Sequence, residues 1–266
     1  MRDDRVRAEA GEVAVQRYVE VNGVRTWYDE RGTGEPVVLL HGGIVDSRCF
    51  AGNLDALAGS FRLYLPERRG HGHTPDPGGP LSPQLMAADT IAFLRTVVGG
   101  PAALVGYSAG AVVALLTALA RPDLVSRLVL ISGAFHQNGW LLPPASPADI
   151  PQIIYDQHAE VSPDGPGHLT SVIERITASA EAGDLALTAA ELQTVGCRTL
   201  VLVGDDDVVA LEHTLELYRG LPDAELAVVP GATHMLLSEK PQLCTGLVAT
   251  FLGGPPAPTH MPIRRA

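Results

Sequence analysis

Ala103-Leu-Val-Gly-Tyr-Ser-Ala-Gly-Ala-Val-Val-Ala-Leu-Leu-Thr-Ala-Leu-Ala120 runs from an apolar stretch of strand length straight into a helical one, with no linker between them. Arg121-Pro122 ends the helical part, because proline carries no N–H and clashes with the preceding turn. The junction reads Gly106-Tyr107-Ser108-Ala109-Gly110. In a chain with 28 glycines, G-x-S-x-G spacing also arises by chance. Its place between a strand and a helix is what gives it meaning. A serine on so sharp a turn is held in a strained backbone with its hydroxyl above the strand end. The flanking glycines remove side chains where the turn packs closely, and the helix N-terminus favours developing negative charge.

Working outward, the same rhythm repeats. Val13–Val21 and Val24–Glu30 read as strands joined by Asn22-Gly23, a dipeptide that tolerates positive φ at both turn positions. Pro36–His41 is apolar without alternation, as a strand buried on both faces must be. Phe61–Leu65, Leu128–Ser132, Thr199–Val203 and Glu225–Val229 complete eight strands with Ala103–Tyr107. Helical spacing covers Leu81–Val98 after the cap residue Ser82, Leu211–Leu221 and Pro241–Leu252. Strands alternating with helices demand crossover connections and a mostly parallel sheet, with the opening hairpin antiparallel at one edge.

The rhythm breaks between Ala134 and Gly196. This stretch holds Pro143, Pro144, Pro147, Pro151, Pro163 and Pro166, with helix-like pieces at Ile150–His158 and Leu169–Ala182. So long a departure between two core strands reads as an insertion covering one end of the sheet. Residues 1–133 and 197–252 are then the core, 134–196 a helical cap, and 253–266 a flexible tail. The charged first dozen residues read as a lead-in.

Composition narrows the function classes. Across 266 residues, 46% are hydrophobic and 18% charged, which fits one folded domain with a deep core. A net charge of −11 repels phosphate backbones and argues against nucleic-acid binding. The opening MRDDRVRAEAGEVAV lacks the apolar region of a secretory signal, and no stretch approaches ~20 uninterrupted apolar residues. Cys49, Cys197 and Cys244 share no ligand-like spacing, so reduced thiols in a cytoplasmic protein are expected, with no metal and no cofactor. Oligomeric state is not legible.

From Gln16 to Leu252, in motif and in the order of elements, the chain resembles the α/β-hydrolase family. That resemblance implies an α/β-hydrolase fold: a mostly parallel eight-stranded sheet flanked by helices, with a helical cap insertion. It also implies a nucleophile at Ser108, and an oxyanion hole formed by the N–H groups of Ala109 and of Gly43 in His41-Gly42-Gly43. His41 is read as a residue that orders this loop. The base is carried onto His234 in Pro230-Gly-Ala-Thr-His234, and the acid onto Asp207 of Gly204-Asp-Asp-Asp207, the third residue after the glycine. The alternative acid position after Ser132 holds Gly133, Ala134 and Phe135. Arg68-Arg69-Gly70-His71-Gly72-His73-Thr74 resembles a structural loop of the family, in which Glu67 replaces the usual aspartate; no Cys or acidic pair nearby supports a metal at His71 and His73.

The implied activity is hydrolysis of carboxylic ester or lactone bonds in a small to medium apolar substrate, through an acyl-enzyme. Phe135, Trp140 and Tyr155 are candidate pocket walls, with Leu141, Leu142, Ile153 and Ile154 beside them. Thioesterase, C–C bond hydrolase, peptidase and perhydrolase chemistry use the same triad, and a receptor-like protein with a slow triad is a further reading.

Overall fold

In chain order, the computed structural model, which describes residues 5–9, 12–255 and 260–261, places β1 (Arg5–Glu9), β2 (Glu12–Val21), β3 (Val24–Arg31), β4 (Pro36–Leu40), β5 (Arg62–Pro66), α1 (Pro83–Phe93) and β6 (Ala102–Tyr107). There follow α2 (Ala109–Ala120), β7 (Val125–Ile131), α3 (Gln152–Val161), α4 (His168–Glu181), α5 (Ala189–Leu192) and β8 (Thr199–Asp206). The chain closes with α6 (Leu211–Gly220), β9 (Ala224–Thr233), α7 (Leu236–Glu239) and α8 (Pro241–Leu252). One sheet holds all strands in the order β1-β2-β3-β5-β4-β6-β7-β8-β9. From β5 to β9 every pairing is parallel; β1, β2 and β3 are antiparallel. Asn22 and Gly23 turn between β2 and β3 at φ 47° and 74°.

The eight strands of the expected sheet are β2 to β9. A ninth, β1, pairs with β2 at the antiparallel edge, which corrects the reading of Arg5–Glu9 as part of a lead-in. Residues 1–4 and 10–11, and 256–259 and 262–266 of the expected tail, lie outside the described residues.

The parallel strands are apolar because helices cover both faces. Successive residues of a strand point to opposite sides. Val38, Leu40, Leu104, Leu128 and Leu130 accordingly pack with α1 and α2, through Met86, Phe93, Ala111 and Leu115. Their neighbours Val37, Leu39, Val105, Val129 and Ile131 pack with Cys244, Val248 and Phe251 of α8 on the other face. Two 3₁₀ turns that periodicity did not announce, Ser47–Phe50 and Leu54–Gly59, complete this second layer with Phe50, Leu54 and Leu57.

Helices α3 and α4 fall on the two helical pieces read between Ala134 and Gly196. The segment is tied down at both ends. Trp140 forms a β-bridge with Val209, and Leu141 N donates to Val208 O at 2.8 Å. Asp76 of the core accepts from His168 Nε2 at 2.7 Å and from Arg175, both on α4. These bonds hold the Asp76 carboxyl at about 2 against the opposing effect of burial. No helix among the described residues is long and apolar enough to cross a membrane.

Candidate active site

Ser108 sits between β6 and α2 at φ 55° and ψ −121°, a backbone region that costs a non-glycine residue free energy. Neighbouring groups lock it there. Its N–H donates to Ile131 O at 2.8 Å, and its carbonyl accepts from Ala111 N at 2.9 Å. The two glycines are sterically required. A Cβ on Gly106 would lie 2.2 Å from Gly110 O, and one on Gly110 would lie 2.0 Å from Leu40 O. The turn can therefore press against the ends of β4 and α2 only without side chains at these positions.

His234 follows β9, and its Nε2 accepts the Ser108 hydroxyl at 2.9 Å. Its Nδ1 donates to Asp207 Oδ1 at 2.8 Å. Asp207 follows β8 with its side chain fully buried. The same Oδ1 accepts from Val209 N at 3.1 Å, and Oδ2 accepts from Ser132 Oγ at 2.5 Å. Burial acts to raise the Asp207 pKa, but the hydrogen bonds from His234, Ser132 and Val209 outweigh it and hold the carboxyl below its ordinary value. An anionic Asp207 fixes the proton on Nδ1 and leaves Nε2 as acceptor. Of the other two aspartates in the run, Asp205 accepts from Ala232 N at 3.1 Å and Asp206 is exposed.

Two residues without a predicted role, Ser132 and Tyr107, shape this array together with Trp140, which was expected only as a pocket wall. Ser132, at φ 51° beyond the end of β7, takes the second oxygen of Asp207. Tyr107 OH donates to His234 O at 2.8 Å, and Trp140 meets the His234 ring edge-on with centroids 6.0 Å apart. A lone serine closing an otherwise apolar buried strand was the available signal for Ser132. Nothing local marked the contact of Tyr107, whose partner lies 127 residues away.

Gly43 lies against the Ser108 turn, with a Cβ built on it 3.4 Å from the Ala109 methyl. Its loop is held from behind. His41 is fully buried; its Nε2 accepts from Arg68 N at 3.1 Å, and its Nδ1 donates to Gly42 O at 2.8 Å. Burial first, then Arg68 and His71, push its pKa well below the usual histidine value. His71 Nδ1 faces Arg69 O at 2.9 Å and its Nε2 faces Gly43 O, only one of which can take the single N–H of the neutral ring, and burial with Arg68 lowers the pKa to about 4. Glu67 is also buried. It accepts from Ser47 Oγ at 2.7 Å and from His73 N at 2.6 Å, in space left by Gly72, where a Cβ would lie 2.2 Å from its Oε2. The longer acid is thus accommodated by the missing side chain at Gly72. His73 bonds Glu67 and stacks on Trp27. Among the described residues no group of three or more His, Cys, Asp or Glu is placed to hold a metal ion.

A cavity of about 1530 Å³ opens over this array, bordered by Ser108, Ala109, Gly43, His234 and Met235 on the core side. That exceeds the ~300–1,000 Å³ usual for small-ligand sites and leaves room for more than a small acyl group. The 134–196 segment contributes Trp140, Leu141, Leu142, Ile153 and Ile154. Phe135 and Tyr155, expected as walls, do not line it. Phe135 is buried in a stack with His213, centroids 4.2 Å apart, and Tyr155 OH turns away to donate to Pro147 O at 2.8 Å. Both residues spend their rings packing the segment onto itself and the core.

Residues 37–245, well over half of the chain, match the profile of the alpha/beta hydrolase family. Over its length the chain is 27% identical to the sn-1-specific diacylglycerol lipase ABHD11 of Mus musculus, covering 84% of this chain and 83% of that one. A meta-cleavage product hydrolase from Pseudomonas fluorescens IP01 superposes with a TM-score of 0.75 at 22% identity, over 89% of this chain and 97% of the other. The enol-lactonase from Burkholderia xenovorans LB400 gives 0.72 at 22% identity, over 89% and 100%. With the strand order, the strained Ser108 turn and the profile in agreement, the chain belongs to the alpha/beta hydrolase family.

Proposed function

We propose that the protein is a serine hydrolase that cleaves carboxylic ester or lactone bonds, with Ser108 as nucleophile, His234 as general base and acid, and Asp207 as the orienting carboxylate. The observation that carries this reading is the continuous bonded line from Asp207 Oδ1 through the imidazole to Ser108 Oγ, at 2.8 and 2.9 Å. In the first step the Ser108 proton passes to Nε2 as Oγ bonds the substrate carbonyl carbon. The N–H groups of Gly43 and Ala109 receive the oxyanion. Each such fixed donor is worth about 3–4 kcal/mol of barrier. Collapse breaks the carbon–oxygen bond, and the leaving alkoxide takes the proton from His234; in a lactone it stays tethered to the acyl group. Water then adds to the acyl-enzyme, giving its proton to His234. The second collapse returns that proton to Ser108 and frees the acid.

In this reading residues 134–196 act as the cap that selects substrate, over a core of 1–133 and 197–252. An apolar acyl or alcohol chain fits the Leu141, Leu142, Ile153 and Ile154 side of the cavity. Hydrolysis of 4-nitrophenyl butyrate, together with labelling by a fluorophosphonate, tests the assignment. Both are expected for the native protein and neither for Ser108→Ala. A Ser108→Ala protein that keeps its rate, or a native protein that binds such esters without turnover, would sink it; the second result points to a receptor-like binder.

A further inference from the structure

The cationic side chains packed against the core mostly have a carboxylate. Arg69 holds Asp89 through two bonds of 2.7 and 2.9 Å, Arg48 holds Asp46 and Glu160, and Arg175 holds Asp76. Arg68 does not. It is 6% exposed, lies under the His41–Gly43 loop and lines the same cavity as Ser108. Its guanidinium donates to Gly42 O, and Nη1 has only the Met86 thioether, at 3.8 Å. The His41 Nδ1 that it approaches already carries a proton for Gly42 O, so that nitrogen offers it no lone pair. Nε is buried with no partner. Five N–H donors are thus served by one carbonyl and one sulfur.

Burying a guanidinium without a counter-charge is costly, and a neutral side chain could support the Gly42 carbonyl at far less cost. The cost shows in the arginine itself, whose pKa burial lowers to about 10, which still leaves it cationic at neutral pH. The acids on the cavity wall, Glu181 and Asp184, sit at and beyond the end of α4, and neither bonds it. What would complete this site is an anion arriving through the cavity. A phosphate monoester would bring nearly two negative charges to one cation; a carboxylate brings one, in a shape that a guanidinium edge receives through paired bonds.

We propose that Arg68 is a specificity residue that anchors a carboxylate, so that the substrate of this site carries a free carboxylate besides the bond that is cleaved. The proposal rests on the serine-hydrolase reading for its location. Because Arg68 bonds the residue next to Gly43, the carboxylate lies on the side of the substrate that faces the His41–Gly43 loop.

Mono-4-nitrophenyl esters of linear diacids of four to eight carbons, each compared with its methyl-capped partner and corrected for spontaneous hydrolysis, test the anchor. The native enzyme is expected to prefer the free carboxylate at one chain length by a factor on the order of 10 to 100 in kcat/KM, the scale of a charge-assisted bond. Arg68→Gln should abolish that preference and leave the methyl-capped esters within a few fold, while Arg68→Lys retains part of it. Equal rates for both members of every pair with native enzyme overturn the proposal, whether or not the variants fold. So does an Arg68→Gln protein that loses both members alike, since that assigns Arg68 to holding the loop. Calorimetry of hexanoate against hexanamide on Ser108→Ala protein separates the two hypotheses: tighter hexanoate binding that disappears with Arg68→Gln supports the anchor even if the native protein hydrolyses nothing. Equal affinity for the two overturns it.

Discussion

Two regions face the same cavity and are held in opposite ways. The loops at the carboxyl ends of β6, β8 and β9 carry Ser108, Asp207 and His234, and each of these residues is held by hydrogen bonds from more than one side. Across from them Leu141, Leu142 and Ile153 line the cavity while staying 65%, 62% and 59% exposed. Their segment is tied to the core at Trp140–Val209, at Asp76 and through Arg48, which bonds Gln157 O and Glu160 of α3, while these three apolar side chains are left unpacked. Geometry for making and breaking bonds tolerates little error, so over-determined loops serve it. An exposed apolar rim instead offers area to a substrate without dictating its shape. Substitutions on the core side should therefore act on kcat, and those on the rim on KM.

The largest effect should come from Ser108, the proposed nucleophile. Ser108→Ala is expected to lower kcat by about 10⁶, as in a comparable triad. Asp207→Asn keeps shape but favours the wrong tautomer and should cost about 10⁴ with the protein still folded. Asp205→Asn and Asp206→Asn should each stay within about tenfold; a large loss at either would mean that the acid is misassigned by register.

Next in size is a purely steric test. Gly110→Ala places a methyl 2.0 Å from Leu40 O, backbone that cannot yield cheaply, and should destabilise by about 3 kcal/mol or more in thermal unfolding. A variant that melts like the native protein would show the turn to be softer than the contacts imply.

Ser132→Ala sharpens the comparison at the level of one hydrogen bond. Losing it should cost kcat roughly tenfold, and the Asp207 carboxyl should titrate higher. The sign for stability follows. A lowered native pKa contributes stability fully above the unfolded value, about 3.9, and that contribution is lost as pH falls through the native value. Ser132→Ala should thus narrow the acid range over which stability declines, measured as melting temperature between pH 2 and 5. An unchanged profile would remove Ser132 from the set that holds Asp207.

The smallest effects belong to the rim. Leu142→Ser and Ile153→Ser should raise KM for apolar esters by about threefold, leave kcat unchanged and shift stability by no more than about 0.5 kcal/mol. If instead kcat collapses, the rim is part of the catalytic geometry and the contrast between the regions fails.

What was legible in the sequence follows this same division. The Gly106–Gly110 motif, the apolar strands and the Asn22-Gly23 turn are local signals, set by backbone sterics and by burial on two faces. The wall residues were not legible in the same way. Phe135 and Trp140 are both aromatic, lie five positions apart in one loop and carry no mark of which one turns inward. Phe135 found His213 to stack on, and Trp140 found Val209 to pair with and His234 to face. Ser132 and Tyr107 likewise take their roles from partners far along the chain.

By itself the sequence determined the order of β2 to β9 and of the longer helices, the strained serine turn and the family, because each depends on spacing and residue type within a short window. Only the tertiary structure decided which oxygen of which aspartate meets His234, how Gly72 makes room for Glu67, and that Arg68 lies buried beside the cavity without a carboxylate. These are relations among segments tens of residues apart. They come from how the sheet brings strand ends together, and charge and space at such a junction are properties of the assembled neighbours and not of any one stretch.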